Sequence, residues 1–203
     1  MTPTRWIMVD STDPYLQYSP NWVPATATTD NLGHFGSPFS STLQQVNYSG
    51  ASVRYTFSGT QVRVYGTGEK GANGVDPSWS CSVDRSGAGI ITTNNMTDLP
   101  KNNWVLCEAH SLPDGLHTVS LSVLDPGSMF WLNRFDYVPS NGVPVDNARI
   151  FVQSSDPIIQ YGSGWTSHGD TGRITQDSGS NMMFDFVGVR LLWLVLEATA
   201  YKK

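Results

Sequence analysis

The sequence predicts an all-β protein: one antiparallel β-sandwich followed by the opening strands of a second. Three observations carry that expectation. Charged residues make up 14% of the chain against about 25% in an average domain. Ser, Thr, Gly and Asn take their place, which suits short strands and polar turns better than surface helices. Apolar residues recur at every second position in short runs broken by Gly, Pro and Asn. Finally, Ile7 to Trp22, IMVDSTDPYLQYSPNW, is written again 143 positions on as Ile150 to Trp165, IFVQSSDPIIQYGSGW, so the chain begins the same architecture twice.

The repeat sets the domain plan. A second echo, Gly50 to Tyr65 (GASVRYTFSGTQVRVY) against Gly179 to Leu194 (GSNMMFDFVGVRLLWL), follows in each copy. Copy two has far fewer residues than copy one, so the expectation is a complete module over 1–139, a linker over 140–148 and an incomplete second module over 149–203.

Taken in order, the first motif is followed by Val23 to Gln45, rich in Thr, Ser, Gly and Pro without a period. It reads as a long loop or a set of very short strands. Val53, Tyr55 and Phe57 then alternate with Arg54 and Thr56, and Val62 and Val64 with Arg63 and Tyr65. Ser58-Gly59-Thr60 between them reads as the turn of a hairpin. Gly66 to Pro77 carries four glycines and reads as a connecting loop, since neither GxxxxGK[ST] nor a strand-to-helix context is present.

Trp79 to Val83 alternates as a strand, Gly89 to Thr93 is a short one, Asn94 to Asn103 a polar loop and Trp104 to Cys107 a further strand. Val119, Leu121 and Val123 share one face of the next strand, with Thr118, Ser120 and Ser122 on the other. Beyond the Asp125-Pro126-Gly127 turn, Met129, Trp131, Phe135 and Tyr137 share parity, and Pro139 stops that strand. About eight short strands in one unit are the signature of a sandwich or jelly roll.

Several function classes are disfavoured. A net charge of -5 and no Lys/Arg cluster argue against a nucleic-acid or anionic-membrane partner. The longest apolar run, Val187 to Leu196, is interrupted by Arg190 and is half the ~20 residues a bilayer span needs. The four histidines, His34, His110, His117 and His168, lack ligand spacing. His117, at the start of a strong strand, reads as structural. HExxH, CxxC and GxSxG are absent, leaving little support for a zinc site or an esterase. No enzymatic activity is expected.

Cys81 and Cys107 both lie in strand-like stretches, as a disulfide or as two buried thiols. Asn47-Tyr-Ser49 and Asn95-Met-Thr97 are glycosylation acceptors, and their company favours the disulfide and an extracellular setting. MTPTRWIMVD has no signal-peptide core, so the route of export is not apparent.

The stretches DSTDPYLQYSPNW, YTFSGTQVRVYGT, DPSWSCSVD, NNWVLCEA, LPDGLHTVSLSV and FWLNRFDYVP together resemble the tandem galactose-binding-like modules of uncharacterised fungal cell-surface proteins of mushroom-forming species. The resemblance covers Trp6 to about Trp193 and implies two jelly-roll modules, in many members followed by a membrane span. The sequence departs from that pattern after Trp193, where the second module's later strands do not follow.

In such folds a structural calcium sits near the amino-terminal segment and the last strand, which puts Asp10, Asp13 and Asp136 forward as oxygen ligands. As Asp-Pro, Asp13-Pro14 is alternatively a plain turn. No other cofactor is implied. The expected function is non-enzymatic recognition of a carbohydrate, with Trp22, Trp79 and Trp104 beside loops as stacking platforms and Arg63, Asn102 and Asn103 supplying hydrogen bonds. Each Trp is equally readable as a core plug. The competing expectation is a structural or protein-interaction ectodomain with no sugar site.

Overall fold

The computed structural model describes residues 4–25, 36–68, 70, 76–85, 90–93, 101–168 and 172–192. The chain divides into two compact units: Trp6–Phe151, and Met1–Arg5 together with Val152–Lys203. The first contains strands β1 (Trp6–Asp10), β2 (Gln17–Tyr18), β3 (Val23–Pro24), β4 (Gln44–Val46), β5 (Ser52–Gly68), β6 (Ser78–Val83), β7 (Ile90–Thr92), β8 (Lys101–Ala109), β9 (Gly115–Asp125), β10 (Phe130–Pro139) and β11 (Arg149–Phe151). It is an antiparallel β-sandwich. One layer runs β11-β1-β10-β5-β8-β7, and the other is made by β2, β5, β9 and β6. The expected linker 140–148 and residues 149–151 of the expected second module belong to this unit, because β11 pairs with β1.

Strand β5 belongs to both layers, which corrects the hairpin expected at Ser58-Gly59-Thr60. Its first half, Ser52–Gly59, pairs with β9, and its second half, from Gly59 on, pairs with β10 and β8. The composition at 58–60 resembles a turn, yet Gly59 serves close approach: a Cβ there would collide with the Val138 carbonyl oxygen. The chain bends instead of reversing.

A second correction concerns β10. Trp131 pairs with Thr67 and Leu132 with Gly66, but the next pair is Arg134 with Tyr65, so Asn133 is an extra residue in a bulge. The bulge reverses parity. Phe130 and Leu132 are buried before it and Phe135 and Tyr137 after it, whereas Trp131 is half-buried. A third correction is that β8 starts at Lys101, so Asn102 and Asn103 are strand residues, not loop residues.

Val53, Val62, Val64, Val119, Leu121, Val123, Leu132 and Phe135 are fully enclosed between the layers, each stabilising the fold by roughly 1.5–3 kcal/mol. The Cys81–Cys107 disulfide joins β6 to β8, one strand from each layer, with Cα atoms 6.4 Å apart. Bridging residues 26 apart restricts the unfolded chain by about 3 kcal/mol, and the alternative of two thiols is set aside.

In the second unit β12 (Ile159–Tyr161) pairs with β15 (Met182–Phe184), and β13 (Thr166–His168) with β14 (Gly172–Ile174). The repeated sequence makes repeated hydrogen bonds. The Asp13 carboxylate accepts from the Tyr15 amide, and the Asp156 carboxylate from the Ile158 amide, each at 2.9 Å. The Trp22 indole donates to the Ser52 carbonyl at 3.1 Å, and the Trp165 indole to the Asn181 carbonyl at 2.9 Å. Tyr18 pairs with Val53 as Tyr161 pairs with Met182. Gly50 and Gly179 both adopt φ +85, a left-handed conformation that costs a side-chain-bearing residue energy.

Candidate functional site

Cross-strand partners in a sheet share a face, so the register of the larger layer shows what it presents away from the core. Across the middle of that face lie Arg149 (β11), Met8 (β1), Asp136 (β10), Arg63 (β5), Glu108 (β8) and Ile91 (β7), one residue from each of six strands. The neighbouring row holds Asp10, Arg134, Tyr65 and Val105. Trp6, Gln61 and His110 extend the face on the other side.

The charges on this face alternate and pair. Arg63 Nε lies 3.2 Å from Glu108, Arg134 Nε 3.0 Å from Asp136, and Arg149 Nη1 3.5 Å from Asp10. His110 adds a contact of 3.0 Å to Glu108 through Nε2 and one of 3.2 Å to the Gln61 amide oxygen through Nδ1. Aromatic rings fix the guanidinium planes: Arg63 lies 4.5 Å from the Trp6 ring centroid and Arg134 3.8 Å from that of Tyr65, contacts that strengthen as water is excluded. Arg63, Glu108, His110 and Arg149 stay partly open to solvent.

At one end, a single 3-10 turn, Phe39–Ser41, is tied to the bulge. The Asn133 side chain accepts from the Phe39 amide and donates to the Thr42 carbonyl at 2.8 Å. Phe39 lies against both Arg134 and Arg149, which leaves the outward-pointing Arg134 only 9% exposed. Burial pushes the Asp136 carboxyl above its ordinary range, against the pull of Arg134 and Arg63. Burial likewise raises the Tyr65 phenol, with Asp136 adding to it.

The expected site residues are distributed rather than gathered. Trp22 packs against the core and against Tyr18 and Phe130, with ring centroids 5.4 and 6.2 Å away. Trp79 is a core residue, 2% exposed, donating to the Leu106 carbonyl. Of the two readings of Trp79, stacking platform and core plug, this placement fits the core plug. Trp104 is partly buried against the core, with Lys101 Nζ 4.9 Å from its ring. Asn102 is enclosed, its amide oxygen accepting from Thr67 and its nitrogen donating to the Gly36 carbonyl. Asn103 donates to the Ser37 carbonyl and accepts from Arg134. Of these candidates, Arg63 and Asn103 meet the charged face, Arg63 within it and Asn103 at its edge through Arg134, and both stay partly open to solvent.

The three aspartates expected to converge on calcium do not cluster, and no group of three or more acidic, His or Cys side chains suited to a metal occurs among the described residues. Asp10 accepts from the Thr12 amide and the Thr42 hydroxyl and pairs with Arg149, Asp13 stays within its own turn, and Asp136 is held by Arg134. Asn47 is exposed after β4, and Asn95 lies outside the described residues. No helix among the described residues is long and apolar enough to cross a membrane.

Trp6, Gln61, Tyr65, Glu108, His110, Arg134 and Arg149 were not singled out from the sequence. Their signal was the alternation of polar with apolar residues in β5, β8 and β10, which marks an outward face without showing that three strands align their charges.

A separate cluster surrounds His117, the structural histidine at the start of β9. Its Nδ1 lies 2.7 Å from Asp84 Oδ2 and its Nε2 2.7 Å from the Pro113 carbonyl oxygen, while Asp84 Oδ1 accepts from the Thr118 amide at 2.8 Å. Both ring nitrogens face oxygens that can only accept when Asp84 is ionised, an arrangement that favours the imidazolium over the neutral ring.

No family model and no curated protein matches this chain. Among solved structures it is similar to a family two carbohydrate esterase from Cellvibrio japonicus, at 14% identity and a TM-score of 0.40, over 68% of this chain and 36% of that one. It is also similar to the catalytic domain of a GH87 alpha-1,3-glucanase in complex with tetrasaccharides, at 12% identity and a TM-score of 0.39, over 71% and 29%. The chain thus spans about a third of the length of each of those structures.

Proposed function

We propose that the Trp6–Phe151 unit is a non-catalytic, extracellular carbohydrate-binding module whose ligand lies across the outward face of the larger layer. The observation that carries the reading is the set of planar, mutually fixed side chains at Gln61, Arg63, Glu108 and His110, with Trp6 beneath Arg63. A sugar hydroxyl needs donors and acceptors already held in place, because ordering a long side chain on binding costs about 0.5–1.5 kcal/mol. Ion pairs and cation–π contacts have ordered these groups beforehand. The carboxylates are engaged by arginines, which suits recognition better than acid–base chemistry.

The resemblance to fungal tandem-module surface proteins, the buried disulfide and the exposed Asn47 sequon fit this setting. Isothermal titration of the disulfide-intact chain against a panel of cell-wall oligosaccharides tests the reading. Saturable binding lost in Arg63→Ala supports it, and absence of binding across the panel by a folded sample refutes it.

The competing reading is a structural or protein-interaction module. It is favoured by the placement of Trp22 and Trp79 in packing roles. It predicts no sugar binding and full tolerance of Arg63→Ala.

A further inference from the structure

We propose that the Arg63–Glu108 face selects uncharged over acidic carbohydrate, with Glu108 the residue that enforces the choice; this rests on the binding reading above. The face carries three arginines, at 63, 134 and 149, and three carboxylates, at Asp10, Asp136 and Glu108. Each guanidinium lies within 3.5 Å of one of them. Each of these three guanidiniums thus has a countercharge in place before an anion arrives.

A uronate or sulfated sugar reaching Arg63 meets Glu108 beside it and Asp136 across the strand pair. To ion-pair it must displace one carboxylate and sit beside the other, and like-charge juxtaposition in a partly desolvated site is strongly unfavourable. A neutral polyol adds hydrogen bonds to Arg63, Glu108, Gln61 and His110 and leaves every ion pair in place. The selectivity is therefore repulsive: the carboxylates reject the wrong ligand as well as ordering the site for the right one.

The test uses the full chain with its disulfide intact at pH 7.5. It is titrated with neutral hexasaccharides of glucose, mannose and galactose, and separately with hexagalacturonate. A neutral hexamer is expected to bind with little change between about 50 and 300 mM salt, since no net charge is neutralised. Hexagalacturonate is expected to bind at least about tenfold more weakly. Glu108→Gln keeps the side chain's shape and removes its charge, and is expected to raise affinity for hexagalacturonate at least about tenfold. Asp10→Asn, which removes the countercharge of Arg149, is the second variant and moves the preference the same way.

Equal binding of hexagalacturonate and a neutral hexamer by the native chain overturns the selectivity while leaving the binding reading intact. So do folded Glu108→Gln and Asp10→Asn chains with unchanged preference. Failure of every sugar to bind the native chain overturns both.

Discussion

The environment of His117 makes a quantitative prediction about stability and pH. The ring is nearly enclosed, its side chain 9% exposed, and each nitrogen has an acceptor at 2.7 Å. Burial alone disfavours its charge and is the largest single influence. The hydrogen bonds to Asp84 and the Pro113 carbonyl, with the charges of Asp84 and Asp114, together outweigh it, so the group is held above its usual range. The titratable groups facing the ring are Asp84 from the turn after β6 and Asp114 from the turn before β9; Phe57 of β5 contributes only its ring, 5.8 Å away.

A raised folded value gives stability that is complete below the unfolded value of ~6.5 and lost as pH rises through the folded value. Asp84 is held below its usual range, chiefly by the hydrogen bond with His117. Its contribution is present above ~3.9 and lost as pH falls through the depressed value. The pair therefore contributes most between about pH 4 and 6.5. Hydrogen bonds to charged groups stabilise by about 1.5–3 kcal/mol each. Asp84 is half exposed, at 50%, so its share is discounted for screening, and His117→Gln is expected to cost about 2–3 kcal/mol at pH 5.5.

Urea unfolding of both proteins at pH 5.5 and 9, followed through tryptophan fluorescence, measures the cost. The difference between the proteins should shrink at the higher pH. Nitrogen-15 NMR titration of His117 reads the proton directly. A midpoint at or below ~6.5, or a variant as stable as the native chain at pH 5.5, refutes the reasoning.

Replacing both Cys81 and Cys107 by Ala should lower stability by roughly 2–4 kcal/mol, read as a reduced urea midpoint, because the bridge ties the two layers. Gly59→Ala should cost about 1–3 kcal/mol or more, since the methyl meets the backbone of β10 rather than a side chain able to move; thermal unfolding measures it. Asn133→Ala leaves the Phe39 amide without its acceptor and the Thr42 carbonyl without its donor. Its expected cost is about 1–3 kcal/mol, with faster hydrogen exchange at the Phe39 amide while the amides of β9 keep their protection.

Much of this fold was legible from alternation alone. The burial of Val119, Leu121 and Val123, the strand at 78–83 and the recurrence of the Tyr18–Trp22 pair as Tyr161–Trp165 all follow a period or a repeat written in the chain. What escaped depended on contacts distant in sequence. Ser58-Gly59-Thr60 has the composition of a turn, and only the approach of the Val138 carbonyl shows why a glycine stands there. The parity of Met129 and Trp131 with Phe135 held in the sequence but not in space, because a single inserted residue, Asn133, reverses it.

The site was harder still. Arg63 was legible as an outward residue of β5, but its partners Glu108 and Trp6 lie 45 and 57 positions away. Nothing local shows that they meet. The tryptophans misled because an indole beside a predicted loop has the same appearance in sequence whether it faces solvent or, like Trp79, donates inward to a carbonyl.

The pairing of β1 with β11 sets Ile7 directly opposite Ile150, Trp6 opposite Phe151 and Met8 opposite Arg149. Ile7 and Ile150 are the same position of the repeated motif, and the flanking pairs exchange places about them. The strand that borders β1 is therefore the matching stretch of the second copy, arranged about a local twofold at Ile7 and Ile150. Such a border is self-complementary: a shortened chain ending before Arg149 would present IMVD to solvent, and another molecule's IMVD, Ile7 against Ile7, is a geometrically matched lid. In the native chain that edge of β1 is taken instead by the motif's second copy.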